Sequence, residues 1–166
     1  GRPHFLIGSI NEIGQQQNAV PFEDEVSFEQ GAFFEPATVA LHGLKRVPWN
    51  GGKTVAILGG GTIGMFVMQW AKIFGAREVV VFDINNERLE LGKRLGATAG
   101  INTLGEGFMD KAMELTEGQG FDYVFETAGN TITMRMAFEL AANKANVCFV
   151  GTPTKDLTFT VKEWEN

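Results

Sequence analysis

The sequence predicts an α/β domain: a doubly wound parallel sheet with helices on both faces. Short, continuous apolar runs recur along the chain, and each is followed by a segment whose apolar residues return every three to four positions. Glycines mark the joints between these segments, since the 166 residues include 21 glycines, nearly twice the usual share of about 7%. Continuous apolar strands alternating with helices are typical of parallel sheets that are covered on both sides.

Residues 1–26 are predicted to be largely irregular, because polar runs and Pro21 interrupt them, with one short strand at residues 5–7. Ser27 starts the first helical segment, since Gln30 follows at the spacing of a capping box. We expect Pro36 to divide that segment, residues 27–46, into two helices.

From residue 54 onward, strands and helices alternate. The predicted strands cover residues 54–58, 79–82, 99–102, 123–126 and 146–150. The predicted helices between them cover residues 62–74, 86–95, 107–116 and 131–142. Gly75 is the expected C-cap of the helix at 62–74, and the alternation at residues 157–161 predicts a short terminal strand.

The first strand of this series leads into a glycine loop. Gly59, Gly61 and Gly64 form the pattern G-x-G-x-x-G between a buried strand and a helix, which is the Rossmann dinucleotide-binding arrangement. Gly59 permits the tight turn, Gly61 lets a pyrophosphate approach the backbone, and Gly64 lets the helix pack on the strand. The free N–H groups at the start of the helix, at Thr62 and Ile63, then face the phosphates.

An acidic residue stands where this arrangement requires one. Asp83 follows Gly64 by nineteen residues at the end of the second strand, the position that binds the adenosine ribose hydroxyls and disfavours a 2′-phosphate. The pattern therefore predicts NAD(H) rather than NADP(H). Arg88, one turn further on, could flank the adenine, accept a 2′-phosphate or remain solvated. The alternative for the whole pattern is a glycine-rich turn with Asp83 capping the next helix.

Two further turns of small residues follow the fourth and fifth strands. Ligands of doubly wound sheets bind at the carboxyl ends of the strands, so we expect both turns to line the ribose and nicotinamide side of the cofactor. Ordinary turn chemistry is the alternative. The residues concerned are Thr127, Ala128, Gly129, Val150, Gly151 and Thr152.

Charge and composition argue against several classes of partner. The net charge is −6, with no basic stripe for nucleic acid or for an anionic membrane surface. No apolar run reaches the ~18 residues of a membrane span, and no signal-peptide core follows the first residues. Cys148 is the single cysteine and is predicted to be inert core, which favours a reducing, cytoplasmic setting. His42 is expected to be a partly buried helix residue, and Gly51–Thr54 a turn rather than a P-loop.

Several of these segments together resemble the medium-chain, zinc-dependent alcohol dehydrogenases. They are residues 31–42, 55–64, 81–83, 125–129 and 150–153. The Glu35–Pro36 pair resembles the polyol branch of that family, which includes sorbitol and galactitol-phosphate dehydrogenases. The resemblance implies an NAD-dependent oxidation of a secondary alcohol of a polyol or polyol phosphate, in which zinc polarises the substrate oxygen. It also implies that Glu35 lies at the zinc site, as a ligand or bonded to the zinc-bound water. The alternative is that Glu35 is a helix residue placed before Pro36 for packing.

The chain departs from that family in length and in zinc ligands. Family members are about twice as long and carry a zinc-binding Cys, an adjacent His-Glu pair and a sixth strand, which would follow Asn166. We therefore expect the cofactor-domain fragment of a larger enzyme, with residues 1–26 as a linker remnant and residues 27–166 as the NAD-binding domain. Such a fragment would bind NAD(H), lack zinc and catalyse nothing. Its exposed sheet edge could pair with another copy in a homo-oligomer.

Two other functions fit the glycine loop. A stand-alone NAD(H) sensor or interaction module would use the same loop without chemistry, but it has no need of a carboxylate such as Glu35. A methyltransferase would also combine a glycine loop with an acid on the second strand. The spacing of Gly64 favours a pyrophosphate over S-adenosylmethionine, and titration with both ligands separates the two classes.

Overall fold

The computed structural model describes residues 4–7, 19–23, 25–153 and 155–159, with side chains described from residue 23 onward. The chain divides into two compact units, residues 1–39 and 40–166. No helix in the described ranges is long and apolar enough to cross a membrane.

The first unit contains two short strands, β1 (His4–Ile7) and β2 (Ala19–Phe22), which pair antiparallel. The predicted strand at residues 5–7 is confirmed, but the prediction that residues 19–22 are irregular is wrong. Pro21 lies opposite Phe5 in this ladder. A two-stranded sheet leaves one side of each strand unpaired, which is where a strand tolerates a proline that has no N–H to donate.

Two helices follow, α1 (Phe28–Ala32) and α2 (Phe34–Leu44). The capping box is confirmed: the Ser27 hydroxyl accepts from the Gln30 N–H, and the Gln30 side chain accepts from the Ser27 N–H. The predicted break is also present, but it falls at Phe33 rather than at Pro36. Pro36 lies in the first turn of α2, where the helix needs no N–H and a proline is tolerated.

The second unit is built on a five-stranded parallel sheet. Its strands are β3 (Thr54–Leu58), β4 (Glu78–Asp83), β5 (Ala99–Asn102), β6 (Phe121–Glu126) and β7 (Ala141–Phe149). The helices are α3 (Thr62–Ile73), α4 (Asn86–Arg94), α5 (Phe108–Glu114) and α6 (Thr131–Leu140). The strand order is β5-β4-β3-β6-β7. The winding direction reverses between β3 and β6, so the carboxyl ends of these strands form a topological switch point.

The two faces of the sheet bury different residues of the same strands. Val55 and Ile57 of β3 belong to a core with residues of α2, α3 and α4. Ala56 and Leu58 belong to a second core with residues of α5 and α6. All four are fully buried. The predicted doubly wound sheet with helices on both faces is therefore confirmed.

The boundary between α6 and β7 differs from the prediction. The helix ends at Leu140 and β7 begins at Ala141, whereas the sequence pattern predicted helix to residue 142 and strand only from 146. Ala141 is extended because its backbone pairs with Phe121 of β6, and these ladder bonds override the helical pattern. An irregularity follows, with Lys144 at a φ of 64°.

The predicted terminal strand at 157–161 is not present over residues 157–159, and Thr160–Val161 lie outside the described residues. The prediction of a turn at Gly51–Thr54 is confirmed up to Lys53. Gly52 has a φ of 77° and donates to the Gly75 carbonyl before β3 begins.

A polar clamp joins β3 and β6 at the edge opposite the switch point. The Asp122 carboxylate accepts from the Thr54 N–H at 2.9 Å and the Thr54 hydroxyl at 3.0 Å, and it pairs with Lys53 at 3.1 Å. In return the Thr54 hydroxyl accepts from the Asp122 N–H. Burial by itself would raise the pKa of Asp122, but the hydrogen bonds from Thr54 and Lys53 outweigh it and lower that pKa below 3.8.

We expect Asp122→Asn to lower the free energy of unfolding by about 1–2 kcal/mol at pH 7, because a one-third exposed carboxylate loses charge-assisted hydrogen bonds. A lowered folded-state pKa contributes stability above the unfolded value and loses it as the pH falls. The difference in the free energy of unfolding between wild type and variant should therefore shrink as the pH drops below 3.8. Urea titrations at several pH values measure this free energy for both proteins. The exposed control Asp156→Asn should change little, and a difference that grows toward acid would contradict the clamp.

Candidate functional site

The glycine loop follows β3 directly and has the geometry that its sequence requires. Gly59 has a φ of 105°, and its N–H donates to the carbonyl of Phe82 on β4. A Cβ on Gly64 would lie 1.9 Å from the Gly59 carbonyl oxygen, so only glycine lets α3 approach the strand this closely. A Cβ on Gly61 would meet no atom of the described residues within 4 Å, so these residues leave open space beside Gly61.

Helix α3 begins beside this open space without a side-chain cap. Its N-cap is Gly61, and its first turn, with Thr62 and Ile63, contains no acidic residue. The first amides of a helix have no intrahelical acceptor, and the helix dipole makes this end positive. The arrangement suits an anionic group such as a pyrophosphate.

Asp83 lies at the carboxyl end of β4 with its side chain only 5% exposed. One carboxylate oxygen, Oδ2, accepts from the Gly60 N–H at 2.7 Å, and Oδ1 accepts from the Asn85 N–H at 2.8 Å. The guanidinium of Arg88 lies 3.5 Å from Oδ2. The alternative in which Asp83 caps α4 is wrong, because the Asn85 side chain caps that helix through the N–H groups of Glu87 and Arg88.

The turn after β6 lies against the glycine loop. The Thr127 hydroxyl is 3.0 Å from the Leu58 carbonyl oxygen and 2.9 Å from that of Gly59. The Ala128 Cβ is 3.1 Å from the position that a Cβ on Gly59 would occupy. The structure therefore brings these two sequence-predicted segments together.

The turn after β7 joins the same group. Gly129 has a φ of 70°, and a Cβ there would lie 2.9 Å from the Thr152 carbonyl oxygen. Gly151 approaches just as closely, since its Cβ would lie 2.4 Å from the Gly129 nitrogen. The Val150 side chain instead packs over Gly43, whose Cβ would be 2.9 Å from Val150 Cγ2.

Glu126, the last residue of β6, is a polar residue of this site that the sequence analysis did not single out. Its side chain is fully buried, and Oε1 accepts from the N–H groups of Ala128 and Gly129 and from the Thr133 hydroxyl. Oε2 has no hydrogen-bond partner among the described residues, and it lies 2.8 Å from the Cβ position of Gly151. A carboxylate at the carboxyl end of a strand, the position that Asp83 holds on β4, was the signal that could have revealed it.

The structure also describes the surroundings of three other residues considered in the sequence. Glu35 is exposed in the first turn of α2. His42 is exposed rather than partly buried, and its ring nitrogen accepts from Arg46. Cys148 is half-buried and donates to the Gly43 carbonyl, and burial raises the pKa of its thiol against the opposing charge of Arg46, as expected of an unreactive cysteine. Among the residues with described side chains, no three His, Cys, Asp or Glu are grouped to hold a metal.

Two features of the structure make the site residues suitable for a dinucleotide. Among the described residues, none fills the space at Gly61, where an uncapped helix starts, and none bonds to the buried Oε2 of Glu126. The first suits a phosphate, and the second suits an added donor or a positive charge.

Known proteins are similar to this chain in both sequence and fold. The chain is 34% identical over 162 residues to galactitol 1-phosphate 5-dehydrogenase of Escherichia coli K12, a match that covers 93% of this chain and 47% of that protein. It is 33% identical over 133 residues to sorbitol dehydrogenase of Bacillus subtilis 168, covering 80% of this chain and 38% of that protein. The chain thus spans less than half the length of these relatives.

Solved structures agree with these matches. The crystal structure of galactitol-1-phosphate dehydrogenase from Escherichia coli superposes with a TM-score of 0.78 at 33% identity, covering 91% of this chain and 44% of that one. A structure from Sinorhizobium meliloti 1021 that is bound to NADP superposes with a TM-score of 0.78 at 27% identity, covering 89% of this chain and 44% of that one.

The family model described as zinc-binding dehydrogenase matches residues 62–164. Since that match covers more than half of the sequence, the chain belongs to the zinc-binding dehydrogenase family.

Proposed function

We propose that this chain binds NAD(H) in the crevice at the carboxyl ends of β3, β4, β6 and β7. The observation that carries the proposal is the buried carboxylate of Asp83, which the Gly60 and Asn85 amides hold beside the open space at Gly61. Beyond the Asn85 N–H, Oδ1 keeps a further lone pair that can accept from a ribose hydroxyl. A 2′-phosphate would meet that negative charge instead, which favours NAD(H) over NADP(H).

The proposed cofactor contacts are the sequence-predicted set. They are Gly59, Gly61, Thr62, Ile63, Gly64, Asp83, Arg88, Thr127, Ala128, Gly129, Val150, Gly151 and Thr152. Arg88 supports the adenosine side through its ion pair with Asp83. A solved structure of the same fold is bound to NADP, so we infer that cofactor choice depends on the charge at Asp83 rather than on the fold.

We further propose that the chain is the cofactor-binding part of an enzyme that oxidises a secondary alcohol of a polyol or polyol phosphate. The names and the 33–34% identities of the sorbitol and galactitol 1-phosphate dehydrogenases support this substrate class. When bound, zinc would polarise the substrate oxygen and the nicotinamide would accept a hydride. Glu35 is the proposed zinc-site carboxylate of the complete enzyme, and the other zinc ligands come from the portion that the relatives have in addition.

Asp83→Ser should weaken NADH binding by about 1–3 kcal/mol, because the ribose hydroxyls lose a charged acceptor. NADPH binding should weaken less, since the same change removes the repulsion of the 2′-phosphate. Fluorescence titrations of both cofactors give the ratio of the two dissociation constants, which a general loss of stability would leave unchanged. An unaltered ratio would remove Asp83 from the site, and the exposed control Asp110→Ser should leave both affinities intact.

Gly61→Ala should mainly weaken NADH binding, whereas Gly64→Ala should mainly lower the stability of the fold. A methyl group at position 61 enters open space, so it costs about 1 kcal/mol or less of stability but blocks the phosphates, weakening NADH binding about tenfold or more. A methyl group at position 64 overlaps the Gly59 carbonyl and should cost about 2 kcal/mol or more. Thermal unfolding and NADH titration of both variants separate the effects. Full NADH affinity in Gly61→Ala would place the ligand elsewhere.

The isolated chain should bind NADH yet reduce no NAD⁺ when sorbitol or galactitol 1-phosphate and Zn²⁺ are added, because the substrate and zinc sites need the additional portion. Absorbance at the NADH band measures turnover, and intact sorbitol dehydrogenase serves as the positive control. Steady NADH formation by the purified chain would show that its own residues complete the catalytic site.

A further inference from the structure

The Glu126 carboxylate is engaged on one side only. Its Oε1 takes all three donors, from Ala128, Gly129 and Thr133, at 2.7–2.9 Å. Its Oε2 is buried without a hydrogen-bond partner among the described residues. All three neighbours donate, which suits a carboxylate because that group only accepts. An unpartnered buried oxygen costs stability unless something else uses it.

The position of Glu126 in the sheet suggests that use. β6 lies on the opposite side of β3 from β4, which ends in Asp83. In a doubly wound sheet the two halves of a dinucleotide lie on opposite sides of the switch point. If Asp83 takes the adenosine ribose, as proposed above, Glu126 lies on the nicotinamide side. Its free oxygen faces Gly151, in one of the turns proposed to line that half.

We propose that Glu126 sets the preference of this chain between oxidised and reduced cofactor. The proposal rests on the proposed NAD(H) function. The nicotinamide ring of NAD⁺ carries a positive charge and that of NADH is neutral, while the rest of the molecule is the same in both. A negative charge in a water-poor interior attracts the oxidised ring and leaves the reduced ring unaffected. Glu126 thereby favours NAD⁺, the form that accepts the hydride when an alcohol is oxidised.

The test compares dissociation constants for NAD⁺ and NADH at pH 7 in the full chain, with NADH followed by its fluorescence and NAD⁺ by competition against it. Glu126→Gln keeps the shape and an acceptor for the three donors but removes the charge. We expect it to weaken NAD⁺ relative to NADH by about three- to tenfold, at a dielectric between those of protein and water. Loosening of the turn alone would weaken both forms equally.

Three matched variants complete the experiment. Glu126→Asp retains the charge, Thr133→Val removes one donor from Oε1, and Glu139→Gln removes an exposed carboxylate from the same helix as Thr133. All three should keep the ratio of the NAD⁺ and NADH dissociation constants within about twofold of wild type, because each retains a carboxylate at position 126. Where Glu126→Gln does not fold, Glu126→Ser supplies a second neutral side chain, with room for water to satisfy the amides.

The outcomes separate this inference from the proposed function. If the wild-type chain binds neither cofactor form, the NAD(H) proposal fails and this one fails with it. If the wild type binds both forms and the neutral variants keep the wild-type ratio, the inference about Glu126 is overturned while NAD(H) binding stands. A ratio shifted toward NADH in the neutral variants alone supports it.

Discussion

The arrangement of the loops at the carboxyl ends of the strands depends on how closely α3 approaches β3. The Gly59 carbonyl oxygen occupies the space that a side chain on Gly64 would need. Because the loop is drawn in this tightly, the Gly60 N–H reaches the Asp83 carboxylate on β4. On the other side, the Thr127 hydroxyl reaches the carbonyl oxygens at the end of β3. One close contact between backbone segments therefore ties the ends of three strands together.

Much of the fold could be predicted because its signals are local or periodic. The three inner strands of the central sheet, β3, β4 and β6, are buried along most of their length, so they are mainly apolar runs. Ser27 caps its helix with a partner three residues away. Two boundaries were missed for different reasons. Ala141 is extended because a distant residue, Phe121, pairs with it across the sheet. No break falls at Pro36 because the first turn of α2 tolerates a proline.

The two carboxylates of the candidate site show the same difference. Asp83 was predicted because a fixed spacing from the glycine loop identifies it, although its hydrogen bonds to Gly60 and Asn85 were not foreseen. Glu126 was read only as the end of a strand. Its burial arises from donors in a later turn and helix and from the approach of Gly151, and no spacing rule connects those residues in the sequence.

Hydrogen-bond acceptors and donors alternate along the carboxyl ends of the strands, from β4 across the switch point to β6. The end of β4 presents an acceptor in Asp83, and the start of α3 presents free amides with no acidic residue in its first turn. The end of β6 presents a second negative group in Glu126. In a chain of net charge −6, backbone amides rather than a basic patch are thus available to attract phosphates. This series of acceptor, donor and acceptor has the order of the ribose hydroxyls, the pyrophosphate and the cationic ring in NAD⁺, which is the ligand proposed above.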